Sequence, residues 1–178
     1  MGQSVHAALA DLDLVTRCDA AGRPADEVAR DRALTHGVAD HASEVATMVH
    51  RALMSPTVAY GASRRHWREV SVTAPVAHGG VLEGFVDLLF EDHDRLVVVD
   101  YKTDHIRDRP ALAAAVATYR LQLAAYAAAL ASSTGLDVTR CVLVFVGGPE
   151  PMEHLFEGSD LTDALIQARR VADALVGT

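Results

Sequence analysis

Two acids and a lysine carry the densest chemistry in this chain: Asp87, Asp100 and Lys102. They lie in Gly84–Lys102, GFVDLLFEDHDRLVVVDYK, where two apolar runs, Phe85–Phe90 and Leu96–Tyr101, flank a polar turn, Glu91–Arg95. Short runs rich in Val, Leu and Phe on either side of such a turn predict two strands joined as a hairpin. Side chains alternate along a strand, so Asp100 and Lys102 share a face. With the turn centred between His93 and Asp94, position 87 falls opposite position 100. The two carboxylates then face each other with Cβ atoms about 4.5–5.5 Å apart. Like charges so placed on half-buried strands repel. A divalent cation between them converts the repulsion into binding, and all-oxygen ligation suits Mg²⁺ or Mn²⁺. Taken singly, either acid also fits an edge-strand or solvent-facing position with Lys102 as its ion-pair partner. Yet Lys102 is the sole lysine, in a chain that otherwise uses arginine for its fixed positive charges.

The elements that must position this set follow from periodicity. Trp67–Ala74 alternates, with Val70 and Val72 on one face and Glu69, Ser71 and Thr73 on the other, and reads as a strand. Glu69 is therefore a further acid near the hairpin, or an exposed strand Glu beside Arg65 or Arg68. Pro75–Gly80 reads as a turn into a first hairpin strand, Val81–Phe90. After Lys102, Thr103–Pro110 is a polar loop. Ala111–Ala131 is a long alanine-rich helix whose stripe is Leu112, Val116, Tyr119, Leu123, Tyr126 and Leu130, with Gln122 on the same side. Cys141–Val146 is an apolar, central strand closed by Gly147-Gly148-Pro149, Met152–Phe156 a short strand, and Leu161–Leu175 a helix capped by Ser159-Asp160.

Upstream, Gln3–Leu14 reads as a helix with Val5, Ala8, Leu9 and Leu12 in one apolar stripe and His6 beside it. Thr16–Pro24 is a loop. Ala25–Thr35 and Val38–Met54 are helices broken at Gly37, the second with a buried stripe of Val45, Met48, Val49, Ala52 and Leu53. Pro56–Ser63 reads as a connector. His6 and His50 each neighbour an apolar stripe, which suits either a satisfied core histidine or a ligand. No histidine pairs at zinc spacing with another His or Cys.

The chain has 178 residues, 50% hydrophobic and 22% charged, the size and composition of one globular domain. No run approaches the roughly 20 apolar residues of a membrane span. The N-terminus lacks the basic start and apolar core of a signal peptide, so a cytoplasmic location is expected. Met1-Gly2 matches the opening of a myristoylation signal only weakly. Cys18 and Cys141 are too few for a disulfide framework or a four-cysteine iron–sulfur cluster. No P-loop or helicase motif is present.

The run G-x-x-D followed, after a hairpin, by hydrophobic-D-Y-K (Gly84–Phe90, then Val97–Asp104) resembles the metal-dependent nucleases of the PD-(D/E)XK superfamily. The resemblance is to the RecB/AddA branch, the nuclease domain at the C-terminus of bacterial UvrD-like helicase–nucleases. Gly2, Val5, His6 and Leu9 look like that branch's first motif, G-T-x-x-H-x-x-L, with Gln3 in place of Thr. His50 has similar neighbours but no Gly at the motif's spacing. Tyr119, Gln122 and Tyr126, followed by A-x-A-L, resemble its next motif. That the first motif begins at residue 2 suggests a piece of a longer polypeptide, or a gene truncated to its nuclease end.

The resemblance implies an α/β fold, a small mixed sheet flanked by helices with a restriction-endonuclease-like core. It implies one nuclease domain over 1–178, with a helical part at 1–55 carrying the His motif and a catalytic core at 64–178. It further implies Mg²⁺, replaceable by Mn²⁺, held by His6, Asp87, Asp100 and the backbone carbonyl of Tyr101. Lys102 acts at the phosphate, Gln122 and Tyr126 orient the site or the DNA backbone, and Glu69 and Tyr119 are accessory. The implied activity is exo- or endonucleolytic cleavage of DNA in double-strand break processing and recombinational repair. The implied partner is a helicase motor, on the same polypeptide or a separate one, that delivers a single strand. The net charge of −8 agrees with such delivery, since unaided capture of phosphate needs Lys and Arg. Two alternatives differ in class: a silent nuclease-fold domain that guides DNA or forms a subunit interface, and a structural metal-binding module.

Overall fold

A computed structural model describes residues 1–76 and 80–174. Residues 77–79 of the expected turn and Leu175 of the expected last helix lie outside the described residues. The chain forms two compact units. The first comprises Met1–Arg65, Tyr101–Arg107 and Val144–Glu153; the second comprises His66–Asp100, Asp108–Leu143 and His154–Thr178.

The first unit is mainly helical. α1 (Gly2–Asp11), α2 (Ala25–Thr35) and α3 (Ala42–Met54) pack on one another. Their apolar stripes close on a core of Val5, Ala8, Leu9, Val28, Ala29, Val45 and Val49, all at most 2% exposed. Hydrophobic residues recurring every three to four positions gain stability by this burial, about 1.5–3 kcal/mol for a large side chain. α1 stops at Asp11, earlier than periodicity suggests, because the Asp13 carboxylate turns back to the amides of Val15 and Thr16. Leu12 and Leu14 remain buried from the turn that follows. The expected helix from Val38 begins instead with a 3-10 turn at Ala39–His41, after Gly37 at φ 70°.

Pro56–Ser63 is not a plain connector. Pro56–Ala62 forms α4, with Pro56 in the first turn and the Ser55 hydroxyl accepting from the Val58 amide at 3.3 Å. Glu153, distant in sequence, accepts from the Thr57 amide at 2.9 Å, the Thr57 hydroxyl at 2.7 Å and the Ser55 hydroxyl. A carboxylate satisfying first-turn donors stabilises a helix start that local sequence leaves weak.

The second unit is built on strands. β1 (His66–Val76), β2 (Gly80–Asp92), β3 (Arg95–Lys102), β4 (Val138–Phe145) and β5 (Met152–Glu157) form one sheet in the order β1-β2-β3-β4-β5. The centre of the five is therefore β3, and β4 is the inner strand beside it rather than the central one. β1–β2 and β2–β3 are antiparallel. α5 (Arg109–Thr134) joins β3 to β4 as a crossover, the connection that parallel neighbours require. The Asp108 carboxylate caps α5 through the Ala111 amide at 2.8 Å, and Gly135, at φ 72°, ends it in the left-handed conformation. α5 packs on β1 and on α6 (Gly158–Ala174). Its buried stripe is shorter than periodicity suggests: Leu123, Tyr126 and Leu130 are buried, whereas Leu112, Val116 and Tyr119 are half-buried. Cys141, at 0% exposure, is packed in β4, where burial pushes its thiol up to about 12.

Candidate metal centre

The β2–β3 hairpin closes through His93 and Asp94, at φ 50° and 60°. Two left-handed residues make the tight turn whose twist matches antiparallel strands. The pairing runs from Asp92↔Arg95 to Leu88↔Val99. Asp87 and Asp100 are the next residues on the two strands beyond the last of these pairs. Both are buried, at 6% and 4% exposure. β1 then adds a third acid. Arg68↔Leu88 and Val70↔Val86 bracket Glu69 and Asp87, so these two also face each other. Their carboxylate oxygens lie within 4.8 Å.

Glu69, Asp87 and Asp100 thus lie on three adjacent strands of the sheet, neighbours in such a sheet being about 4.7–4.9 Å apart. Glu69 sits at φ 48°, a left-handed conformation for a side-chain-bearing residue in mid-strand. Such backbone costs of order 1–3 kcal/mol and persists where surrounding structure over-determines it. Here regular pairing on both sides does so. Three carboxylates on adjacent strands, two of them buried, suit a hard cation: oxygen donors, short reach, and charge that a divalent ion offsets.

Lys102 ends β3, half-buried, two residues beyond Asp100 on the same face. Its carbonyl accepts from the Val146 amide at 2.8 Å. The loop after β4 is knitted to this strand exit. The Arg51 guanidinium donates to the Val146 carbonyl at 3.2 Å, and His105 Nδ1 bonds the Gly147 carbonyl at 2.8 Å. A Cβ at Gly147 would overlap the Thr103 carbonyl oxygen and lie 2.7 Å from that of Asp104. Gly147 is thus a close-approach residue that helps to hold the strand bearing Lys102. From the sequence it reads only as the end of a strand.

His6 is half-buried on α1, its ring edge-on to Tyr101 with centroids 6.2 Å apart. Tyr101 is 2% exposed. His50 is exposed on α3. On α5, the Gln122 amide donates to the Tyr126 hydroxyl at 3.0 Å. Tyr126 is 4% exposed and lies across β2 at Gly84, where a Cβ would overlap its hydroxyl. Alternation sets Gly84 on the face turned to α5 and Asp87 on the other. Tyr126 and Gln122 therefore bear on the strand that carries Asp87, three residues ahead of it. Tyr119 is half-buried on the same helix.

Comparison with known proteins finds similar chains. An ATP-dependent helicase/nuclease protein of Streptococcus sanguinis (strain SK36), one subunit of that enzyme, is 42% identical over 71 residues, 40% of this chain and 5% of that one. The protein of the same name from Alkaliphilus oremlandii (strain OhILAs) is 40% identical over 63 residues, 35% of this chain and 5% of that one. The matched stretches are thus a small fraction of these relatives' length. The solved structure of SSO0001 superposes with a TM-score of 0.42 at 15% identity, over 78% of this chain and 70% of that chain. The family model of the PD-(D/E)XK nuclease superfamily matches residues 1–176. Spanning nearly the whole chain, that match shows that the protein belongs to the PD-(D/E)XK nuclease superfamily.

Proposed function

We propose that this chain is the nuclease domain of a helicase–nuclease, hydrolysing DNA phosphodiester bonds in double-strand break processing. The observation that carries the reading is that the carboxylates of Glu69 and Asp87, on paired strands, lie within reach of one ion, with Asp100 and Lys102 on the next strand of the sheet. Asp87 and Asp100 hold Mg²⁺, with His6 and the Tyr101 carbonyl completing the set and Glu69 as the accessory acid. A bound divalent cation supplies charge to the scissile phosphate and acidifies a water. Lys102 orients that water and offsets negative charge growing on the phosphate oxygens. Tyr126 and Gln122 keep β2 seated so that Asp87 holds its row. No covalent enzyme intermediate is required, so no Ser or Cys nucleophile takes part. The substrate is a single strand delivered in the cytoplasm by a helicase motor on the same polypeptide or on a partner protein.

The direct test is a gel of end-labelled single-stranded DNA incubated with the chain and Mg²⁺, Mn²⁺ or EDTA. Cleavage is expected with either metal and none with EDTA. Asp87→Ala, Asp100→Ala and Lys102→Ala each lower the rate by at least about a hundredfold. The two Asp variants keep the thermal stability of the parent, because each relieves repulsion between neighbouring acids. Cleavage by Asp100→Ala at the parent rate would sink this mechanism.

A further inference from the structure

The face of the β1–β2 ladder that carries Glu69 and Asp87 also carries two solvent-exposed aromatic side chains. By register, Trp67 pairs with Leu89 two rows to one side of the acids, and Phe85 pairs with Ser71 two rows to the other. Alternation puts Trp67, Glu69 and Ser71 of β1, and Phe85, Asp87 and Leu89 of β2, on this common face. Trp67 is 36% exposed and Phe85 57%. The next row, Thr73↔Glu83, is polar and exposed. On the opposite face Val72, Val86, Leu88 and Phe90 are buried and Gly84 lies against Tyr126 of α5; on this face Asp87 and Leu89 are buried and exposure is confined to positions such as Trp67, Ser71, Thr73, Glu83 and Phe85. Full burial of a large apolar side chain is worth about 1.5–3 kcal/mol, yet both rings keep part of their surface in solvent.

At a strand rise of about 3.3 Å, the two aromatic rows are about 13 Å apart with the acid row midway. A nucleic-acid strand has a charged backbone and a π-faced base on every nucleotide. A strand whose phosphate lies at the acids' cation presents its neighbouring bases on either side.

We infer that Trp67 and Phe85 form a base-stacking platform that grips the nucleotides flanking the scissile phosphate of a single strand. The inference rests on the nuclease reading and deepens it: the platform reads no sequence, because every base has a π-face, and it rejects strands whose bases are paired and stacked on each other. Aromatic stacking also supplies uncharged affinity, which an acidic chain needs.

Trp67 is the only tryptophan in the chain, so its fluorescence reports on the platform directly. The 178-residue chain is titrated with an oligothymidylate, and with an abasic oligonucleotide of equal length, in Ca²⁺. Anisotropy of a dye on the strand and Trp67 emission are both read. The oligothymidylate is expected to change Trp67 emission, and the abasic strand to leave it unchanged. Phe85→Ala and Trp67→Ala each weaken oligothymidylate binding by about fivefold to a hundredfold, while Phe85→Tyr binds like the parent. Calorimetric Mn²⁺ affinity of Phe85→Ala equals the parent's. Parent-like oligothymidylate binding by both Ala variants with unmoved Trp67 emission overturns the platform and leaves the nuclease reading intact. Loss of Mn²⁺ affinity in Phe85→Ala also overturns it, by showing a structural role. Failure of the parent to bind the oligothymidylate in Ca²⁺ more tightly than the abasic strand overturns the platform, whereas the nuclease reading stands or falls on the cleavage gel.

Discussion

Single residues in this protein carry contrasting burdens. Asp87 and Asp100 are acids held in buried positions of a sheet, where an apolar residue would cost less. Glu69 adds backbone strain to the same row. The two rival histidines differ in setting: His6 is half-buried beside the ring of Tyr101, and His50 is exposed. His6→Ala is therefore expected to weaken Mn²⁺ binding by about 10- to 100-fold, the usual scale for a support of a metal site. His50→Ala leaves it at the parent value. Calorimetric titration of the two variants separates them. Loss of metal by His50→Ala with retention by His6→Ala would show that the motif at Gly2–Leu9 is misplaced.

Among the elements, two glycines fill places that larger residues cannot. Gly147 admits the backbone carbonyls of Thr103 and Asp104, and Gly84 admits the ring of Tyr126. In both cases a methyl group would meet atoms held by their own packing. Gly84→Ala is expected to destabilise the protein by about 1–3 kcal/mol, the range for overpacking a filled site. In the Tyr126→Ala background the same change should cost little, because the obstructing ring is gone. A urea-denaturation double-mutant cycle measures this, and a coupling near zero would mean that Gly84 is not the seat of Tyr126. The turn at His93 and Asp94 works in the same way for register: it sets the pairing of β2 with β3 from Asp92↔Arg95 to Leu88↔Val99.

The whole molecule is acidic, with 24 Asp and Glu against 16 Lys and Arg. A protein that neutralises few phosphates releases few counterions on binding DNA. Lys102, Arg107, Arg109 and Arg120 are the candidates, and Arg120 already bonds Gln167 and Asp160. Unaided binding of single-stranded DNA is expected to be weak, with a salt slope corresponding to only a few phosphates, and tighter when Ca²⁺ is present. Under the proposed function, efficient cleavage is then expected to depend on a motor that raises the local strand concentration, as a tether does. Anisotropy at several salt concentrations, with Ca²⁺ or EDTA, checks this. Tight and steeply salt-dependent binding in EDTA would show that the domain captures DNA unaided. Among the described residues no helix is long and apolar enough to cross a membrane.

What depends on near neighbours was legible in the sequence. Period-two alternation and a two-residue turn set the register of β2 on β3. Period-3.6 stripes marked α1, α3 and α5. The resemblance of the hairpin motif to a nuclease family also stood in the local string. What depends on residues far apart in the chain came only with the folded structure. Glu69 joined the acid row only through the β1–β2 register, which an unspecified connection does not set in advance. α4 formed where a connector was expected, because its first-turn donors are met by Glu153, 98 positions from Ser55. The purposes of Gly84 and Gly147 lay in partners on α5 and at the end of β3. That Trp67 and Phe85 stay exposed on the face bearing the acids became visible only in the folded sheet. Local periodicity records which side of an element is apolar; what lies against that side is a property of the folded chain.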